Sequence, residues 1–157
     1  MAPWFCGQGI TYIVLKYRMP NGHCEVPLSD AERAIRIVRE HAGEWNINPR
    51  KIGIMGASAG GHLAATHYSA ETRPDFQILL YPVVTMLQNT HGGSRNELLG
   101  KSPTTEQIRH FSNELQVTSD TPQAFIVLSS DDGAVPPSNG VNYYLALQKN
   151  NVPASLH

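Results

Sequence analysis

"KIGIMGASAGGHLAAT", residues 51–66, decides how this sequence is read. The apolar run Ile52 to Met55 predicts a strand, continuous in its apolarity and so suited to burial on both faces. It ends in Gly56-Ala57-Ser58-Ala59-Gly60 and passes into an Ala- and Leu-rich stretch that predicts a helix over 59–69. This is G-x-S-x-G at a strand-to-helix junction, the turn that holds a nucleophilic serine clear of a sheet. Such a turn strains the serine and brings other backbone close, so its flanks must be small. Gly56, Ala57, Ala59, Gly60 and Gly61 meet that demand. The start of the following helix carries partial positive charge, and the N–H of Ala59 would face a developing oxyanion. A glycine-rich turn that only packs tightly, or that binds a phosphate, uses the same residue types. The placement between strand and helix favours the nucleophile.

Elements on either side repeat the alternation. Residues 11–17, "TYIVLKY", are β-branched and aromatic and predict a strand, followed by the turn residues of "MPNGH". Residues 29–45 predict a helix, with Ser29 and Glu32 in a capping-box pattern and Ala31, Ala34, Ile35, Val38, Ala42 and Trp45 on one stripe. A third strand is predicted over 76–84 and a fourth over 124–130. Between them lie an irregular stretch, with a helical turn at 97–99, and a helix from Ser102-Pro103 to about Phe111. Ser138 can cap a helix to Lys149, and "VPASLH" begins another strand. Strands alternating with helices predict an α/β fold, a mostly parallel sheet with helices on both faces, in one domain of 157 residues. The strand C-terminal ends then share one edge, where functional groups collect. Ser58 and the Asp131-Asp132 pair each follow a strand, so they are expected to be neighbours in space.

Composition narrows the class. Hydrophobic residues make 41% of the chain and charged residues 16%, as in ordinary globular proteins. The net charge of −1 gives no electrostatic case for nucleic acid or an anionic membrane. No apolar run has the length of a membrane span. The opening "MAPWFCGQG" lacks the basic and long apolar regions of a secretory signal, and the compartment stays open. Cys6 and Cys24 read as two unpaired thiols; no metal-ligand spacing surrounds them, and neither a metal nor a cofactor is expected.

"VLSSDDGAVPP" supplies the carboxylate that a serine–histidine pair needs to orient the imidazole. By position alone either Asp131 or Asp132 could serve, or both could simply cap a turn. The loop lacks the alternating oxygen ligands of a calcium site.

With these residues in view, the sequence resembles the α/β-hydrolase superfamily, in the branch of bacterial acetyl esterases and acetyl xylan esterase-like enzymes related to hormone-sensitive lipase. "NINPRKIGIMGASAGGHLAA" carries the most specific likeness; "GITYIVLKYRMP", "LLYPVVTM", "GSRNELLG" and "YYLALQKNNVPASLH" follow in the family's order. The resemblance implies a serine carboxylesterase acting on small acyl esters or acetylated carbohydrates. Ser58 would be its nucleophile, and Ala59 would give one oxyanion donor. The family's acid stands in D-x-x-V-P, which selects Asp132, in "DGAVP", over Asp131.

In two places the chain departs from the family pattern. The family's glycine-rich oxyanion loop, often HGG, precedes the elbow and has no counterpart here. The family's catalytic histidine lies in a "GGHGF"-like loop beyond the last strands, and this sequence stops at "ASLH". The chain thus resembles the middle of the enzyme. None of its seven histidines stands where the base should be. His62 packs by the elbow helix, and His67 lies one turn on. His91 in "THGGS" imitates the oxyanion motif but follows the nucleophile. His23, His41 and His110 fall in turns or helices, and His157 ends the chain. The isolated chain is therefore expected to be weakly active or inactive. A non-catalytic interaction fragment and a prolyl-oligopeptidase-type peptidase are the alternative readings. Missing outer strands would leave open edges, so self-association through sheet edges is also expected.

Overall fold

The computed structural model describes residues 1–157. Its frame is a parallel sheet of four strands in the order β1-β2-β3-β4: β1 Gly53–Ala57, β2 Phe76–Leu80, β3 Gln123–Val127 and β4 Ala154–Leu156. Helices α1 (Ala2–Gly7) and α2 (Val26–Glu40) precede β1, and α3 (Ala59–Ala65) joins β1 to β2. Helices α4 (Gly92–Leu99) and α5 (Thr105–His110) and a 3₁₀ turn at Asn113–Leu115 lie between β2 and β3, and α6 (Ser138–Lys149) leads into β4. The register aligns Ala57 with Leu80 and Leu80 with Val127. Ser58, Tyr81, Leu128 and His157 therefore stand along one edge.

Period-2 alternation sorts the strand side chains. Gln77, Leu79, Ala124 and Ile126 point to one face and are buried there. Leu79, Ala124 and Ile126 pack with Ala64 and Ala65 of α3 and with Tyr143 and Leu147 of α6. Ala31 and Ile35 of α2 continue the layer through Leu63 and Tyr68, and Ile54 touches both groups. Two polar side chains are buried in this layer with partners. The Tyr143 hydroxyl donates to the Ala65 carbonyl and to Gln77 Oε1, and Gln77 Nε2 donates to the Pro122 carbonyl. Coverage of the two faces is unequal. On the opposite face Met55, Ile78 and Phe125 are in register, and none of them is buried.

Several local expectations shift. Residues 11–17 are not a strand: none of them makes a backbone hydrogen bond, because no neighbouring strand offers a ladder. Helix α2 starts at Val26 rather than Ser29, with Pro27 in its first turn, and stops at Glu40, so Trp45 lies outside it and stacks on His41. Ser29 and Glu32 form no capping box. Glu32 reaches instead to the Ser69 N–H and the Thr72 hydroxyl, fixing the end of the α3–β2 connection. Helix α3 ends at Ala65, and β2 stops at Leu80, where Tyr81 takes φ 35°. Residues 92–99 are a full helix capped by His91, and α5 is capped by Thr104 in a capping box with Gln107, not by Ser102. Helix α6 matches its expected span.

The core makes a direct stability prediction. Leu147 has no exposed surface, whereas Leu145 on the same helix is 57% exposed. Leu147→Ala should lower unfolding free energy by about 3 kcal/mol in urea denaturation, and Leu145→Ala by less than about 0.5 kcal/mol.

Candidate active site

The elbow is built by backbone contact. Ser58 has φ 52° and ψ −121°, a conformation that a non-glycine residue adopts only under constraint. Its N–H donates to the Leu80 carbonyl at 3.0 Å, and its carbonyl accepts from His62 N at 3.2 Å and Val83 N at 3.1 Å. The serine backbone thus ties β1 to the end of β2 and to its own helix. Glycine is required at two flanking positions, for lack of space. A Cβ on Gly56 would lie 2.0 Å from the Gly60 carbonyl oxygen, and one on Gly61 would lie 2.7 Å from Pro82 Cβ. Gly60 faces open space, so smallness there is not a packing requirement.

The Ser58 side chain is partly exposed and makes no hydrogen bond to a histidine. Ala59 is the first residue of α3, so its N–H has no acceptor within the helix. Ala59 also borders a mainly apolar cavity of about 330 Å³, walled by Leu63, Met86, Leu98 and Phe111 and by His62 and His91.

Asp132 lies in the loop after β3. Its Oδ1 accepts from the N–H groups of Ala134 at 2.8 Å and Val135 at 2.9 Å. The bonds from Val135 and Ala134, with a smaller pull from His91, hold its carboxyl below the usual range. Asp131 is exposed and takes a hydrogen bond from the Ser129 hydroxyl within the same loop. Register therefore brings Ser58 and the Asp131-Asp132 loop to the same sheet edge, two strands apart.

The histidines divide by role. His62 is buried, and its Nε2 lies 2.8 Å from the Phe111 carbonyl, so it carries the proton on that nitrogen. Burial pushes the His62 imidazole down to about 4, only partly offset by this bond. His91 accepts from the Ser94 N–H through Nδ1 and so caps α4. His41 bonds the Ile37 carbonyl, and the His157 ring packs on Phe125, 4.8 Å between centroids. His91, marked in sequence only by its likeness to the oxyanion motif, lines the cavity wall, and Tyr81, at φ 35° just beyond β2, had no sequence signal. The chain gathers no group of three His, Cys, Asp or Glu side chains able to hold a metal, and no helix is long and apolar enough to cross a membrane. Cys6 and Cys24 are free.

A family model described as alpha/beta hydrolase fold matches residues 7–139. The chain belongs to the α/β-hydrolase family. This α/β-hydrolase chain is 42% identical to an acetylxylan esterase of Xylanibacter ruminicola over 98% of its own length and 34% of that protein's. It is 36% identical to endo-1,4-beta-xylanase B of Butyrivibrio fibrisolvens, over 95% of this chain and 26% of that one. An acetyl ester-xyloside bifunctional hydrolase from Caldicellulosiruptor lactoaceticus superposes with TM-score 0.92 at 38% identity, covering 99% of this chain and 63% of that structure. The chain thus spans about a third or less of the curated relatives it matches.

Two measurements test the architecture of the site. Gly56→Ala should cost at least about 3 kcal/mol of stability, because backbone must move to admit the methyl, while Gly60→Ala should be neutral or slightly stabilising. The second measurement is the pH dependence of unfolding. His62 titrates near 4 in the folded chain and about 6.5 unfolded, so between those values the unfolded chain binds more protons. Stability should therefore fall as pH falls from about 6.5, levelling below about 4, by up to roughly 3 kcal/mol. The levelling belongs to His62 alone: the lowered carboxyls of Asp30, Glu32 and Asp132 add a further loss of stability at the acid end, which for Glu32 begins at its unfolded value near 4.5. His62→Gln should flatten the slope between the two limits.

Proposed function

We propose that this chain carries the nucleophile and the acid of a serine carboxylesterase that deacetylates carbohydrates or other small acyl esters. The observation that carries the reading is Ser58 at φ 52° between β1 and α3, with Asp132 on the same sheet edge. Acetylated carbohydrate as the substrate class rests on the relatives named above. Neither the peptidase nor the non-catalytic alternative is favoured by them.

The chemistry is a two-step acyl transfer. Ser58 Oγ attacks the ester carbonyl carbon and gives its proton to a histidine. The Ala59 N–H stabilises the oxyanion that forms. The carbon–oxygen bond to the alcohol breaks as the histidine returns the proton to the leaving oxygen. Water then attacks the acyl-serine, deprotonated by the same histidine, and releases the acid and the free Ser58 hydroxyl. Asp132, held ionised by two N–H donors, orients the imidazole and stabilises its charged form. The cavity beside Ala59 offers an apolar wall to a small ester.

The base is a histidine other than the seven in this chain. The isolated chain should accordingly hydrolyse p-nitrophenyl acetate about 10⁴–10⁶-fold more slowly than a complete triad would. Imidazole in the buffer can stand in for the missing ring. The expected result is an imidazole-dependent rate above that of Ser58→Ala under the same buffer, reduced in Asp132→Asn. Equal rates for the chain and Ser58→Ala at every imidazole concentration would leave the non-catalytic reading in its place.

A further inference from the structure

We propose that His91 is a specificity-determining residue, donating its Nε2–H to a hydroxyl in the alcohol half of the ester. That half is a sugar in the esterase reading on which this inference rests. The ring is fixed by the cap it makes. Its Nδ1 accepts from the Ser94 N–H at 3.2 Å and lies 2.9 Å from the Ser94 hydroxyl oxygen. A ring nitrogen that accepts a backbone N–H carries no proton, so the neutral ring is protonated on Nε2. A Cβ on Gly93 would stand 3.0 Å from His91 Cε1, so the bare glycine lets α4 close against the ring. Nε2 makes no hydrogen bond within the chain, and the ring lines the cavity that Ala59 borders. The wall thus carries a donor whose tautomer is set before any substrate arrives.

This tautomer is the wrong one for a base. A base needs Nδ1–H toward the acid and a bare Nε2 toward Ser58. His91 presents the reverse, although it lies near enough to Asp132 for its charge to act on that carboxyl. The acyl half of the substrate offers its N–H nothing to hold. An acetyl group has one free oxygen, its carbonyl, which is turned to the Ala59 N–H. Its methyl needs only the apolar wall of Leu63, Met86 and Phe111. A second fixed donor therefore finds its acceptor in the alcohol half, where a sugar carries hydroxyls and a simple alkyl ester carries none. A site built to hydrogen-bond a hydroxyl discriminates against the analogue that lacks it.

The experiment separates the two ring nitrogens. His91→Asn keeps an acceptor where Nδ1 stands, and asparagine is a strong helix cap, but its side chain does not extend as far as Nε2. His91→Gln places an N–H near Nε2 and gives up the cap. Binding is measured in the Ser58→Ala chain, so that no turnover intervenes. The probes are an acetylated methyl xyloside and ethyl acetate, whose alcohol half has no hydroxyl. Proton–nitrogen NMR of the imidazole rings should show His91 protonated on Nε2, and the xyloside should shift that signal. His91→Asn should weaken xyloside binding about tenfold, with ethyl acetate binding and the urea midpoint unchanged. His91→Gln should hold xyloside affinity within about twofold while unfolding at lower urea. A ring protonated on Nδ1, an Nε2 signal unmoved by the xyloside, or equal xyloside affinity in His91→Asn and its parent would overturn the inference. The esterase reading fails separately. If the xyloside contrast holds while imidazole-supported p-nitrophenyl acetate hydrolysis equals that of Ser58→Ala, the sugar contact is upheld and only the esterase chemistry falls.

Discussion

The approach of Gly56 to the Gly60 carbonyl is the constraint on which the rest of the site depends. With 2.0 Å between a would-be Cβ and that oxygen, strand and helix can meet only where the strand residue is glycine. The sharp return forces Ser58 to positive φ, and that conformation sends its N–H to β2 and its carbonyl to Val83. Pro82 closes on Gly61 from the other side. One crowded turn therefore fixes the serine, the first turn of α3 and the exit path of β2 together. The strain is held by several hydrogen bonds and two steric contacts, which is the condition under which such conformations persist.

Beyond Leu80 the chain leaves the sheet while still buried, and its polar groups need partners that no strand can give. Side chains supply them. Asn139 Oδ1 accepts from Val84 and Thr85, and its Nδ2 donates to the Asn89 and Pro136 carbonyls. Ser112 Oγ accepts from Met86 N and donates to the Ile108 carbonyl. Asn113 donates to the His62 carbonyl, while His62 reaches Phe111. These bonds lock the loop after β2 to the loop after β3 and to the elbow helix. Loss of Asn139 Oδ1 or Ser112 Oγ would strand the buried N–H groups of Val84 and Thr85 or of Met86, where an unpaired polar group costs about 1–3 kcal/mol.

Signals that are local in sequence were legible. The Ile52–Met55 run, the small-residue turn and α6 each announce themselves within a dozen residues, and a parallel sheet follows from their alternation. What failed depends on contacts far apart in the chain. Residues 11–17 have strand composition, but a strand is defined by a neighbour, and β1 ends the sheet on that side. Ser29 and Glu32 have capping-box spacing, yet Glu32 is drawn 37 and 40 residues away to Ser69 and Thr72. Asn139 gave no sign of its role, because an asparagine in a first helical turn is unremarkable until its four partners are known. Even within the elbow, sequence marked Gly56, Gly60 and Gly61 alike, and only the packing separates the two that are required from the one that is free.

The two aspartates show how loop geometry can divide roles between adjacent like residues. Asp131 is turned outward and paired with Ser129 of its own loop, an arrangement that any exposed turn can support. Asp132 spends only Oδ1 on the N–H groups of Ala134 and Val135, and Oδ2 makes no hydrogen bond within the chain. Those two donors both orient the carboxylate and lower its proton affinity. An acid that must stay charged beside an imidazole needs both properties, together with one oxygen left to accept the ring N–H. The geometry thus supports Asp132 over its neighbour on grounds separate from motif likeness. In the proposed esterase its carboxylate would be oriented by the backbone of its own loop, before any base is in place.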